Sequence, residues 1–81
     1  MRVTAKLFAI LRERSGVSTV NLDLPAESTV ATAVEKLTAT HPAIAPHLAK
    51  SAFAVNRAYS SRDSVLHDGD ELAIIPPVSG G

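Results

Sequence analysis

The chain has 81 residues, 46% hydrophobic and 20% charged, with eight Lys or Arg balanced by eight Asp or Glu and no cysteine. A chain this short forms one small domain that buries about 60% of its unfolded surface, and no disulfide or thiolate metal site reinforces it. Zero net charge excludes the cationic surplus that binding to phosphates requires. No apolar run approaches the roughly 20 residues of a membrane span, so a soluble, cytoplasmic protein is expected.

From Val3 to Leu11 the odd positions are all apolar, Val3, Ala5, Leu7, Ala9 and Leu11, the period-two signature of a strand with its odd face toward the core. This leaves Phe8 on the opposite face with Thr4 and Lys6. Arg12 to Gly16 supplies charge and a turn glycine, and Ser18 to Leu24 resumes alternation with Val20, Leu22 and Leu24, so the two strands form a hairpin. Pro25 stops the second strand, and Ser28 or Thr29 is placed to cap the segment that follows. There Val30, Ala33, Val34 and Leu37 recur at i, i+3, i+4 and i+7, one apolar stripe of a helix that ends at His41-Pro42. Between Ala43 and Ser51 a short helix is expected around His47 to Lys50.

Phe53-Ala54-Val55 reads as a short strand, turned by Asn56-Arg57 into a brief return at Ala58-Tyr59 of weakly specified register. His67-Asp68-Gly69-Asp70 is the strongest turn signal, with a glycine free to take positive φ and Asp side chains able to bond the local backbone. Glu71 to Ile75 forms the last strand, with Leu72 and Ile74 inward. The order β-β-α-β-β gives an α+β roll with one main helix packed on one sheet face.

Residues 1–75 form the domain and 76–81 a C-terminal tail. Pro76 and Pro77 block further ladder pairing, so Pro76-Pro77-Val78-Ser79-Gly80-Gly81 is expected to project, reaching at most about 20 Å. Side-chain-free Gly80 and Gly81 suit an enzyme tunnel in which no Cβ obstructs approach to the terminal carbon.

Leu7-Phe8-Ala9, Leu11-Arg12-Glu13, Ala54-Val55-Asn56, Asp68-Gly69-Asp70-Glu71 and the Pro76 to Gly81 ending together resemble the molybdopterin synthase sulfur carrier subunits, over nearly the whole chain. The resemblance implies a ubiquitin-like β-grasp with a mixed sheet in which the first and last strands are adjacent and parallel. It implies that an E1-like partner uses ATP to adenylate Gly81, that a sulfur donor protein displaces AMP to leave a thiocarboxylate, and that the loaded tail enters the large catalytic subunit of molybdopterin synthase. There sulfur passes to precursor Z, cyclic pyranopterin monophosphate. The chain would then be no enzyme on its own, would bind no cofactor, and would carry sulfur on its main chain instead of on a thiol.

Phe8 and Ile75 are each out of phase with the core positions of their strands, so they are expected to share one exposed apolar patch for a protein partner. Arg12, and also Arg57, are candidates to meet an acidic partner surface, with solvated strand-end charges as the simpler account. His41, His47 and His67 lack metal-pair spacing, and neither a nucleophile elbow nor a phosphate loop occurs. Rival readings are a sulfur carrier for thiamin, cysteine or tRNA thiolation, a ubiquitin-like modifier joined through Gly81 to lysines, and an interaction module with an inert tail.

Overall fold

The computed structural model describes residues 1–77, and the expected roles of Val78, Ser79, Gly80 and Gly81 lie outside the described residues. Five strands form one mixed sheet: β1 (Arg2–Leu7), β2 (Thr19–Asp23), β3 (Ala52–Val55), β4 (Ala58–Ser60) and β5 (Glu71–Ile75), in the order β2-β1-β5-β3-β4. β1 pairs antiparallel with β2 and parallel with β5, while β3 lies antiparallel to both β4 and β5. The first and last strands are therefore adjacent and parallel, as the resemblance implies.

The main helix, α2 (Val30–Thr40), buries Val30, Ala33, Val34 and Leu37, the four positions of its expected stripe. They join Val3, Ala5, Leu7, Leu22, Leu72 and Ile74 in a single core cluster on one face of the sheet. Thr29 occupies the cap position, but its side chain bonds no backbone N–H of the first turn. The carbonyls of Ser64 and Arg62 accept from the N–H groups of Val30 and Ala31 at 3.0 Å each, so a long-range loop satisfies donors that a local cap would otherwise take. Helix α2 stops at His41 as expected.

Three local readings are corrected. Strand β1 ends at Leu7, and helix α1 (Ile10–Ser15) occupies part of the segment expected to continue it. The break is at Ala9, where φ is 49° and ψ is −121°; with Leu11 N–H donating to the Phe8 carbonyl at 3.0 Å, this is the geometry of a type II′ turn. Ala9 is exposed instead of inward, whereas Leu11 is fully buried but from the helix. Alternation alone could not separate these outcomes, because a helix residue just past a turn can fill the same core site as the next strand residue. Helix α1 then ends at Gly16 in the left-handed conformation, the turn glycine expected there.

The segment after α2 also departs from the expected one. A 3-10 turn (Pro42–Ile44) leads into α3 (Ala45–Leu48), so the short helix begins before His47. Pro46 lies in the first turn of α3, where its missing N–H has no intrahelical duty and its fixed φ suits the helix. Ile44 and Leu48 from this segment are buried and extend the core.

Candidate functional site

Side chains alternate across each strand, so the sheet has an outer face made by Arg2, Thr4 and Lys6 of β1, Glu71, Ala73 and Ile75 of β5, Ala54 of β3 and Tyr59 of β4. Register confirms the neighbours: Lys6 lies opposite Ala73, Ala54 opposite both Ala73 and Tyr59, and Thr4 opposite Asn21. This face divides in two. On the β2–β1 side it is polar and internally paired: Arg2 Nε meets Asp23 Oδ1 at 3.1 Å and Thr4 Oγ1 donates to Asn21 Oδ1 at 3.3 Å. Lys6 Nζ lies 3.6 Å from Glu71 Oε1 at the boundary. On the β5–β3–β4 side it is apolar, with Phe8 44% and Tyr59 81% exposed and Ile75 and Ala73 half-buried.

Phe8 and Ile75 do meet on one surface, although Phe8 lies just beyond the end of β1. Together they line two shallow concavities. One, of about 470 Å³, is completed by Ala54, Arg57, Tyr59, Glu71 and Ala73. The other, of about 760 Å³, runs past Ala9 and Ile10 to Pro76 and Pro77, with Glu13, His47 and Lys50 on its rim. The root of the tail segment thus emerges at the edge of the exposed apolar surface. Arg12 sits on α1, not at a strand end; it is exposed and lines neither concavity.

Sequence reading missed Tyr59 as a member of this surface. Its signal was present in the loop length: Asn56 and Arg57 are the only residues between β3 and β4, and both have positive φ, 49° and 70°. A two-residue type I′ turn fixes hairpin register, which sets Tyr59 opposite Ala54 and so outward.

The turn before β5 is held by its acidic side chains, as expected. Asp70 Oδ2 accepts the His67 backbone N–H at 2.7 Å and Asp70 Oδ1 accepts from Asn56 Nδ2 at 2.9 Å. Gly69 takes φ +87°, and Asp68 Oδ1 accepts the Arg2 backbone N–H at 2.8 Å. The His67 backbone bond is the main reason that the Asp70 carboxyl titrates below its ordinary range; partial desolvation opposes it, while the Asn56 bond and the nearby His67 ring assist. Among the described residues no group of three or more His, Cys, Asp or Glu could hold a metal ion, and no helix is long and apolar enough to cross a membrane.

A five-stranded mixed sheet with the first and last strands adjacent and parallel and one main helix on its inner face defines a ubiquitin-like β-grasp protein. The ThiS family model matches residues 5–81, and the chain belongs to that family. It is 45% identical over 78 residues to the molybdopterin synthase sulfur carrier subunit of Dictyostelium discoideum, covering 93% of this chain and 91% of that one. The crystal structure of small archaeal modifier protein 1 from Haloferax volcanii superposes with a TM-score of 0.89 at 30% identity, covering 95% of this chain and 98% of that chain. A protein complex of subunits 1 and 2 of the molybdopterin-converting factor from Helicobacter pylori contains a chain of the same fold, with a TM-score of 0.71, 20% identity and full coverage of both chains.

Proposed function

We propose that this chain is the sulfur-carrying subunit of a molybdopterin synthase and that Gly81 is its reacting residue. One observation carries the reading: a ThiS-family chain without cysteine leaves the apolar half of its sheet uncovered beside the Pro76-Pro77 root of a Gly-Gly ending. A partner that covers Phe8, Tyr59 and Ile75 would receive the following residues directly into its own active site. The Dictyostelium relative bears the name of a sulfur carrier subunit, and the Helicobacter neighbour is in a complex of subunits 1 and 2 of its molybdopterin-converting factor.

In the proposed chemistry, a carboxylate oxygen of Gly81 attacks the α-phosphorus of ATP on an E1-like enzyme and pyrophosphate leaves. Hydrosulfide supplied by a donor protein then attacks the acyl carbon, and AMP leaves with the electron pair of the broken C–O bond. The product is a thiocarboxylate. In the large subunit, its sulfur forms a C–S bond to a side-chain carbon of the pterin precursor as an oxygen substituent leaves that carbon with the C–O electron pair. Water then attacks the acyl carbon of the resulting thioester, returning the Gly81 carboxylate and leaving the thiolate on the product. This chain supplies the docking face and a reacting carbon flanked by glycine; every acid, base and nucleotide contact belongs to the partners.

Intact-mass spectrometry after incubation with the activating enzyme, ATP and a sulfur source tests the reading, with an oxygen-for-sulfur mass increase expected on full-length chain and none after removal of Gly81. An unchanged mass for the full-length chain overturns it. The likeness to an archaeal modifier favours a second reading in which the activated Gly81 is transferred to lysine amines of other proteins. Higher-mass conjugates that require Gly81 would distinguish that outcome from sulfur transfer.

A further inference from the structure

The Asp70-Glu71 stretch does more than turn the chain. Asn56 Nδ2 donates to Asp70 Oδ1 at 2.9 Å, and the Glu71 backbone N–H donates to Asn56 Oδ1 at 3.0 Å. The Asn56 N–H in turn donates to the Glu71 carbonyl at 2.8 Å. One carboxamide therefore ties the β3–β4 loop to the start of β5 across 14 and 15 residues of sequence. Asp70 is itself fixed by the His67 N–H at 2.7 Å, and its backbone carbonyl accepts the Thr4 N–H at 3.0 Å.

The hairpin whose turn this clip holds carries Tyr59, an exposed member of the apolar surface. Arg57 follows Asn56 directly, and Tyr59 lies on β4; both line the concavity with Phe8 and Ile75. Among the described residues, strand β4 is a three-residue edge strand paired only with β3, through three register pairs. Tyr59, at 81% exposure, has few contacts of its own to hold it. Strand β3 is laddered to β5, so the place of Tyr59 relative to Phe8 and Ile75 depends on the turn that joins β4 to β3 and on how firmly that turn is held.

We propose that Asn56 is a positioning residue for partner docking: beyond the β3–β5 ladder, its carboxamide pins the β3–β4 turn to the start of β5 and so holds Arg57 and Tyr59 in place against Phe8 and Ile75 before the partner arrives. The inference rests on the docking role proposed above and names what preorganises that surface. An interface ordered in advance loses less conformational entropy on association. Asn also suits the position because it tolerates the left-handed φ of 49° that the turn imposes.

The test is a swap. Asn56→Asp retains an acceptor for the Glu71 N–H but loses the donor to Asp70 and sets two carboxylates against each other. The double variant Asn56→Asp with Asp70→Asn restores a donor–acceptor pair of reversed direction, while the new amide oxygen can still accept the His67 N–H. Binding to the large molybdopterin synthase subunit of the same organism is measured for full-length protein at a temperature where urea titration shows each variant folded. Phe8→Ala serves as the docking control, and amide chemical shifts of Arg57 to Ser60 are recorded without partner.

Asn56→Asp is expected to weaken binding about tenfold, the scale of one charge-assisted hydrogen bond, and to shift the hairpin amides; the swap returns both toward wild type. If Phe8→Ala weakens binding while Asn56→Asp leaves it within about twofold, the clip is overturned and the docking role stands. Failure of a folded swap variant to recover binding also overturns the clip. If the wild-type chain does not bind, or Phe8→Ala changes nothing, the docking role fails and the clip's proposed purpose fails with it.

Discussion

Replacing Phe8 with alanine separates docking from folding, because the side chain is divided between the two. Phe8 retains 44% of its accessible surface. For an aromatic residue of about 200 Å² that leaves about 90 Å² to be covered by a partner, contributing about 2.2 kcal/mol at 25 cal/mol per Å², or about 40-fold in Kd. The part already covered by the chain is about 110 Å², so the same substitution costs at most about 2.8 kcal/mol of folding stability. A domain of this size has about 4 to 12 kcal/mol in reserve, and the variant stays folded. Calorimetric titration with the large subunit reads the first effect and urea unfolding reads the second. Affinity within twofold of wild type would refute the docking argument. A stability loss above about 4 kcal/mol, in the range of a fully buried aromatic, would place Phe8 in the core instead.

Three further outcomes are expected. Leu11→Ala empties a fully buried site under α1 and is expected to cost about 2 to 5 kcal/mol by chemical denaturation; a loss below 1 kcal/mol would show that α1 is not a fixed part of the fold. Gly69→Ala is expected to cost about 1 kcal/mol from its φ of +87° alone, since an added Cβ meets nothing within 4 Å, and a much larger loss would point to steric contact. Because the Asp70 carboxyl is depressed in the folded chain, the unfolded chain takes up that proton first as pH falls. Its stabilising effect is full above the ordinary carboxylate range and is lost as pH drops through Asp70's own lower value; urea unfolding across that acid range should show a shallower decline in Asp70→Asn, and identical slopes would remove Asp70 as a contributor.

Period-two alternation identified β2 and β5, and the i, i+3, i+4, i+7 stripe identified α2 down to its four buried residues, because those patterns report directly which face of an element meets the core. Gly16 and Gly69 were equally legible, since few other residues take positive φ cheaply. The Asn56-Arg57 loop was visible as a two-residue turn, a length that favours a primed turn, and the observed left-handed pair of residues fixed the outward face of Tyr59. Alternation through Ala9 and Leu11 misled for the opposite reason: both a strand and a turn followed by a helix satisfy it, and the burial of Leu11 against the rest of the core decides between them.

The sequence by itself thus determined the class of fold, the inward face of each long element and Gly81 as the one position proposed to carry sulfur in a chain without cysteine. Phase along β1 and β5 already pointed to Phe8 and Ile75 as one exposed patch, and tertiary structure added Tyr59 to it. Parallel pairing of β1 with β5, reinforced by β3, brings Phe8, Tyr59 and Ile75 from three separated segments onto one side of the sheet. The Asn56 clip likewise joins groups 14 and 15 residues apart. Local patterns specify which way a residue faces along its own strand, whereas strand order and register specify what lies beside it, and a surface patch is a property of neighbours.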